Sequence, residues 1–214
     1  MMDTQRGGFS FWSADGPLAS LACTGLLVVS SGRLAYALVT GTALVFVYLC
    51  SLLTLWAARP LVSARIRGAV SVILSSFFAT VYFFILSLLS PLLAEECSFF
   101  LALCPIVFVA SGLSDRSARD SLSETAGRAT LESASILALI VGFALIREPL
   151  GYGSLSLPFR EGLVSVIGSG EDSPFIVHSV SSTIGGLILT AYAVFAFRKF
   201  RARETDEGAE REDA

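Results

Sequence analysis

Two long runs without a charged residue, Leu34 to Ala58 and Gly68 to Leu93, constrain this chain more than any other feature of its sequence. A helix needs about 20 apolar residues to cross the hydrocarbon core of a bilayer, and both runs are longer than that. Charged residues make up only 15% of the chain, against about 25% in soluble domains. Such a chain cannot cover a water-exposed surface with polar groups. The sequence therefore predicts an integral membrane protein and excludes a soluble enzyme or a nucleic-acid-binding protein.

Four further apolar segments bring the predicted number of transmembrane helices to six. The first and fourth, Leu18 to Ser31 and Phe99 to Leu113, are too short to cross a bilayer as straight helices. Pro105 also interrupts the fourth, because proline removes a helix hydrogen bond. Residues Ala129 to Ile146 and Phe175 to Phe197 supply the fifth and sixth spans.

The order of segment lengths (short, long, long, repeated once) indicates two related halves, at about 18–93 and 99–197. Three spans per half make the second half run in the opposite direction across the membrane. We therefore predict an all-α integral membrane domain over residues 18–198. It has six transmembrane helices in two inverted three-helix repeats, with helices one and four short or broken. A cytoplasmic N-terminal segment at 1–17 and a charged, disordered cytoplasmic tail at 199–214 flank it.

Basic residues predict the orientation of these spans, because Lys and Arg accumulate in cytoplasmic loops. Three basic groups fall on the same side of a six-span arrangement: Arg59, Arg65 and Arg67; Arg116, Arg119 and Arg128; Arg198, Lys199, Arg201 and Arg203. The opposite side receives the acidic pair Glu95 and Glu96 and the mixed loop before span six. Both termini are therefore predicted to be cytoplasmic.

Cys23 and Cys104 take equivalent positions when the two short segments are superimposed. Broken helices of inverted repeats meet near the bilayer midplane, where thiols from opposite sides would lie close together. Cysteine at a helix crossing is also simply a small apolar residue. The residues alone leave both interpretations open.

Several short motifs occur in an order that is specific to one family. The run 147–155, Arg-Glu-Pro-Leu-Gly-Tyr-Gly-Ser-Leu, is similar to the pattern R-E-x-x-G-x-G-T-L, and 172–175 reads D-S-P-F. Cys23 lies where the pattern L-G-L-C-P is expected, and residues 35–46 follow it at the right distance. By these motifs the chain resembles the six-span membrane subunits of the Rnf electron-transport complex and of the sodium-pumping NADH:quinone oxidoreductase, specifically the Rnf E (Nqr D) type.

This resemblance implies a membrane subunit of an ion-translocating electron-transport complex in a bacterial inner membrane. In the family, two related subunits each contribute one cysteine per short helix, and the four thiolates hold a [2Fe–2S] cluster inside the membrane. Here Cys23 and Cys104 are the predicted ligands. The implied partners are a homologous six-span subunit and the flavin- and iron–sulfur-bearing subunits of the complex. The chain is not expected to be catalytic alone.

One position departs from the family pattern. The family's second cysteine ends the pattern P-L-I-x-x-N-C. When Pro105 is aligned with the first residue of this pattern, the cysteine corresponds to Ser111, and a hydroxyl is a poor substitute for a thiolate. Cys104 lies seven residues earlier, about 10 Å along a helix. Either the ligand has moved to Cys104, or this subunit binds no complete cluster. A structural subunit that has lost the cluster and an inverted-repeat secondary transporter are therefore the alternative functions.

Other residues have competing interpretations. Glu132 is either an ion-coupling carboxylate or part of a salt-bridged helix start with Arg128. Gly151-Tyr152-Gly153 is similar to a potassium-channel filter, but its context favours a turn. Arg147 and Glu148 are expected to anchor a helix end at the membrane interface or to contact neighbouring subunits. We expect His178 to be hydrogen-bonded rather than metal-bound, and Cys50 and Cys97 to be structural.

Overall fold

The structure, a computed structural model, describes residues 21–63, 65–112, 121–159, 162–167, 182, 184–192, 195 and 199. In this part of the chain the helices are α1 (Leu21–Ser30), α2 (Leu34–Ala57), α3 (Arg67–Leu89), α4 (Pro91–Ala110) and α5 (Leu122–Tyr152). Strands β1 (Leu155–Phe159) and β2 (Gly162–Ile167) follow as an antiparallel hairpin. Residues 184–192 are helical.

Helices α2 to α5 are each long and apolar enough to cross a bilayer, which agrees with a multi-pass membrane protein. The described part of α1 adjoins residues 1–20, which lie outside the described residues, so the predicted short first helix stays a prediction. Most of the sixth predicted span and nearly all of the tail at 199–214 lie outside the described residues, so the six-span inverted repeat stays a prediction.

The fourth helix differs from its prediction. It begins at Pro91 rather than Phe99 and, at 20 residues, is long enough to span the membrane, so the prediction of a short fourth helix is wrong. Ser90 is extended, as residues before proline prefer, and Pro91 occupies the first helical turn, where no N–H bond is lost. Glu95 and Glu96 consequently lie in α4 and not in a loop.

Helix α5 begins seven residues before its predicted start, because Ser121 and Glu124 form a capping box. It ends at Gly153, whose φ of 63° is the left-handed conformation that glycine adopts easily. Of the turn predicted at Gly151 to Gly153, only Gly153 lies outside the helix, since Gly151 and Tyr152 are the last residues of α5. The hairpin β1–β2 stands where the sequence predicted only a loop.

Helix α2 is the central element and packs on α3, α4 and α5. Its direction is parallel to α4, since Tyr36 bonds Glu96 and Tyr48 bonds Val107. Helix α3 follows the periphery, and only four of its 23 residues are buried. Apolar side chains such as Phe77 and Leu88 are 59% and 86% exposed, as expected of a helix that faces lipid.

Gly41 is the point of closest approach between α2 and α5, where a Cβ atom would overlap the Leu137 side chain. Gly41→Ala is therefore expected to destabilise the fold by about 1–3 kcal/mol, the usual cost of overpacking. Thermal unfolding in detergent measures this. Gly142→Ala, on α5 with no atom within 4 Å of its Cβ position, is the matched control. Equal effects of the two substitutions would contradict the packing argument.

Candidate functional site

Cys23 and Cys104 are both buried, at 1% and 0% exposure, and both belong to the apolar core. Cys23 lies in α1, and Cys104 lies in α4 directly before Pro105. Both are free thiols, and the Cys104 Sγ–H points to the Phe100 carbonyl oxygen at 3.5 Å. The chain therefore holds two unpaired thiols in a dry environment.

Tyr48 of α2 lies in the part of the core that contains both thiols. Its side chain is fully buried, its ring packs edge-on against Phe108 at 5.1 Å, and its hydroxyl donates to the Val107 carbonyl at 3.3 Å. Three groups lie in electrostatic range of this phenol: Cys23, Cys104 and Glu132.

The fold thus brings the two predicted cysteines and Ser111 to the neighbourhood of one side chain. Sequence reasoning missed Tyr48, because one tyrosine in a long apolar run carries no signal of what it contacts. Its burial between α1, α4 and α5 becomes visible only when the helices are packed.

Ser111 is the C-cap of α4, and its hydroxyl donates to the Phe108 carbonyl oxygen at 2.7 Å. This bond uses the hydrogen of the Ser111 hydroxyl within the chain. The position that corresponds to the family's second cysteine is therefore occupied by an internal hydrogen-bonded group.

Glu132 is 7% exposed and lies ten residues into α5, about 15 Å from the start of that helix. The helix begins earlier than this prediction assumed, at the capping box of Ser121 and Glu124, and the pairing of Glu132 with Arg128 stays a prediction. Its carboxylate lies in electrostatic range of Tyr48 and Cys23. A role as an ion-coupling carboxylate stays a prediction.

Arg147 is buried inside the chain, at 3% exposure. One guanidinium nitrogen donates to the Val28 carbonyl at 2.7 Å and to the Ser31 hydroxyl at 3.2 Å. The other donates to the Ser182 carbonyl at 2.7 Å. The guanidinium is therefore held by groups of its own chain, and a role at the membrane interface or toward neighbouring subunits stays a prediction.

Glu148 is equally buried, at 1% exposure. Its Oε2 accepts the backbone N–H of Leu34 at 2.7 Å, and its Oε1 accepts that of Ser156 at 2.8 Å. The carboxylate thus ties the start of α2 to β1.

Among the residues that the structure describes, no group of three or more His, Cys, Asp or Glu side chains is arranged to hold a metal ion. Cys23 and Cys104 are therefore at most half of a four-ligand set. Cys50 is half-buried on α2, and Cys97 is buried on α4; both are free thiols. His178 and the motif at 172–175 lie outside the described residues.

Comparison with known proteins places the chain in one family of membrane proteins. A search of curated proteins found no match. The model of the family described as "Rnf-Nqr subunit, membrane protein" matches residues 18–201, which include the whole predicted membrane domain. The chain therefore belongs to the Rnf-Nqr subunit family of membrane proteins.

Proposed function

We propose that this chain is a membrane subunit of an Rnf/Nqr-type ion-translocating electron-transport complex in a bacterial inner membrane. The match to the family over residues 18–201 carries this proposal, and the four membrane-spanning helices among the described residues agree with it. Its partners would be a homologous six-span subunit and subunits that bear flavin and iron–sulfur centres. Alone, the chain would have no enzymatic activity.

Within that complex we propose that Cys23 and Cys104 supply two of the four thiolates of an intramembrane [2Fe–2S] cluster, shared with the homologous subunit. The donor chemistry fits, because such clusters take thiolate ligands and both thiols are free. When bound, the cluster supplies one-electron transfer within the bilayer. The residues of this chain exclude water from the thiols, since Leu26, Leu27 and Phe108 of the same core are at most 1% exposed.

A structural subunit without a cluster is the second candidate, and two observations favour it. Position 111, which corresponds to the family's second cysteine, is a serine whose hydroxyl donates to the Phe108 carbonyl oxygen, so it provides no thiolate. Both cysteine side chains are also covered by this chain's own residues, whereas a shared ligand must reach a partner. Iron analysis of the purified complex separates the two candidates.

Purification of the tagged full-length chain from native membranes tests its membership in a complex. We expect a second six-span subunit and flavin-bearing subunits to co-purify in constant proportion, because the chain would work only as part of an assembled complex. The isolated chain in liposomes is expected to show no more Na⁺ or solute uptake than protein-free liposomes. A chain that purifies alone and catalyses uptake would instead support the secondary-transporter alternative.

A further inference from the structure

The junction between α1 and α2 requires partners that neither helix provides. The chain leaves α1 at Ser30 and enters α2 at Leu34. The last carbonyls of one helix and the first amides of the next have no partner within their own helices. In a membrane protein such groups must be satisfied by other parts of the chain, because lipid offers no hydrogen bonds.

Arg147 satisfies the carbonyl side of this junction. Its guanidinium contacts the Val28 oxygen near the C-terminus of α1, where a positive charge also complements the helix dipole. The bond to the Ser182 oxygen links α1 to the chain that leads into the helical residues 184–192. Gly186 fits against the guanidinium so closely that a Cβ atom there would lie 2.9 Å from its central carbon.

Glu148 satisfies the amide side. Its carboxylate accepts the N–H of Leu34 at the N-terminus of α2, where a negative charge is favourable. The signs of the two charges therefore match the dipoles of the two helix ends. Consecutive residues of α5 hold the end of one helix and the beginning of the next.

We propose that Arg147 and Glu148 are a positioning pair that fixes α1 against α2 and α5 and thereby holds the Cys23 thiol in its buried place beside Tyr48. The importance of that thiol for electron transfer rests on the proposed function. The positioning itself follows from the contacts at the junction and is tested without a metal readout.

The four native cysteines allow a direct test, because they report on different helices. The rate of reaction with a membrane-permeant maleimide is measured at each cysteine by mass spectrometry, in the full-length chain within its native membrane. In Arg147→Gln we expect the rate at Cys23 to rise at least about tenfold, because the shorter amide loses hydrogen bonds made by a charged group. The rates at Cys97 and Cys104 on α4 are expected to stay at their wild-type values.

Two further variants sharpen this test. Arg147→Lys keeps the charge but has no planar fork, so it is expected to raise the Cys23 rate less than Arg147→Gln does. Arg128→Gln replaces an exposed arginine on the same helix and is expected to leave the rates at all four cysteines unchanged.

The outcomes are distinct. A selective rise at Cys23 supports the positioning pair. No rise in the Cys23 rate overturns the positioning pair. An equal rise at all cysteines in both Arg147 variants also overturns it, since such a rise indicates general loss of structure. A complex without iron whose Cys23 responds selectively would refute the cluster and leave the positioning pair intact.

Discussion

Replacement of Cys23 and Cys104 together by serine is expected to abolish the iron–sulfur signal of the intramembrane site while the subunits of the complex stay assembled. A cluster needs all of its thiolates, and serine has nearly the size of cysteine, so the core packing of α1 and α4 is retained. The measurements are iron content per complex and the electron paramagnetic resonance signal after reduction. Gel filtration of the complex checks that assembly is unchanged.

The chain contains its own control for this experiment. Cys50→Ser with Cys97→Ser changes the same number of thiols, on α2 and α4, and is expected to leave the signal intact. Survival of the intramembrane signal in the Cys23 and Cys104 double variant would show that the ligand assignment is wrong. Absence of such a signal from the wild-type complex would support the structural subunit.

Glu148→Ala is expected to lower the free energy of unfolding by about 2–6 kcal/mol, because two buried backbone amides lose their acceptor and each costs about 1–3 kcal/mol. The amides are those of Leu34 and Ser156, at 2.7 and 2.8 Å from the carboxylate. Glu148→Gln keeps one acceptor oxygen and is expected to lose about half as much. Chemical unfolding in detergent measures both variants.

Glu95→Ala provides the comparison, since Glu95 is an exposed acid on α4. A surface substitution of this kind is expected to change stability by no more than about 0.5 kcal/mol. If Glu148→Ala were as mild as Glu95→Ala, the carboxylate would not be stabilising the junction between α1 and α2.

The long helices could be predicted closely where apolar character and helix length coincide. The second span, predicted at Leu34 to Ala58, is observed at Leu34–Ala57. The starts of α4 and α5 were missed, because hydropathy does not register the local chemistry that begins a helix. Proline at the first turn begins α4, and the capping box of Ser121 and Glu124 begins α5, in each case before the apolar run.

The candidate site was only partly accessible to sequence reasoning. Superposition of the two short segments singled out Cys23 and Cys104, which the fold brings to the neighbourhood of Tyr48. The burial of Arg147 and Glu148 could not be predicted, because charged residues near a helix end usually face water. Several of their partners are backbone atoms, and a backbone carbonyl or amide leaves no pattern in an amino-acid sequence.

The single residue between α3 and α4 has a consequence for how the chain enters the membrane. Ser90 alone separates helices that end at Leu89 and begin at Pro91, and one residue spans less than about 4 Å. Two spans joined this tightly are expected to enter the bilayer together, as one helical hairpin. Glu95 and Glu96 are the only charges between Gly68 and Leu113. The tip of that hairpin therefore carries no Lys or Arg, which agrees with its predicted place on the side of the membrane opposite the cytoplasm.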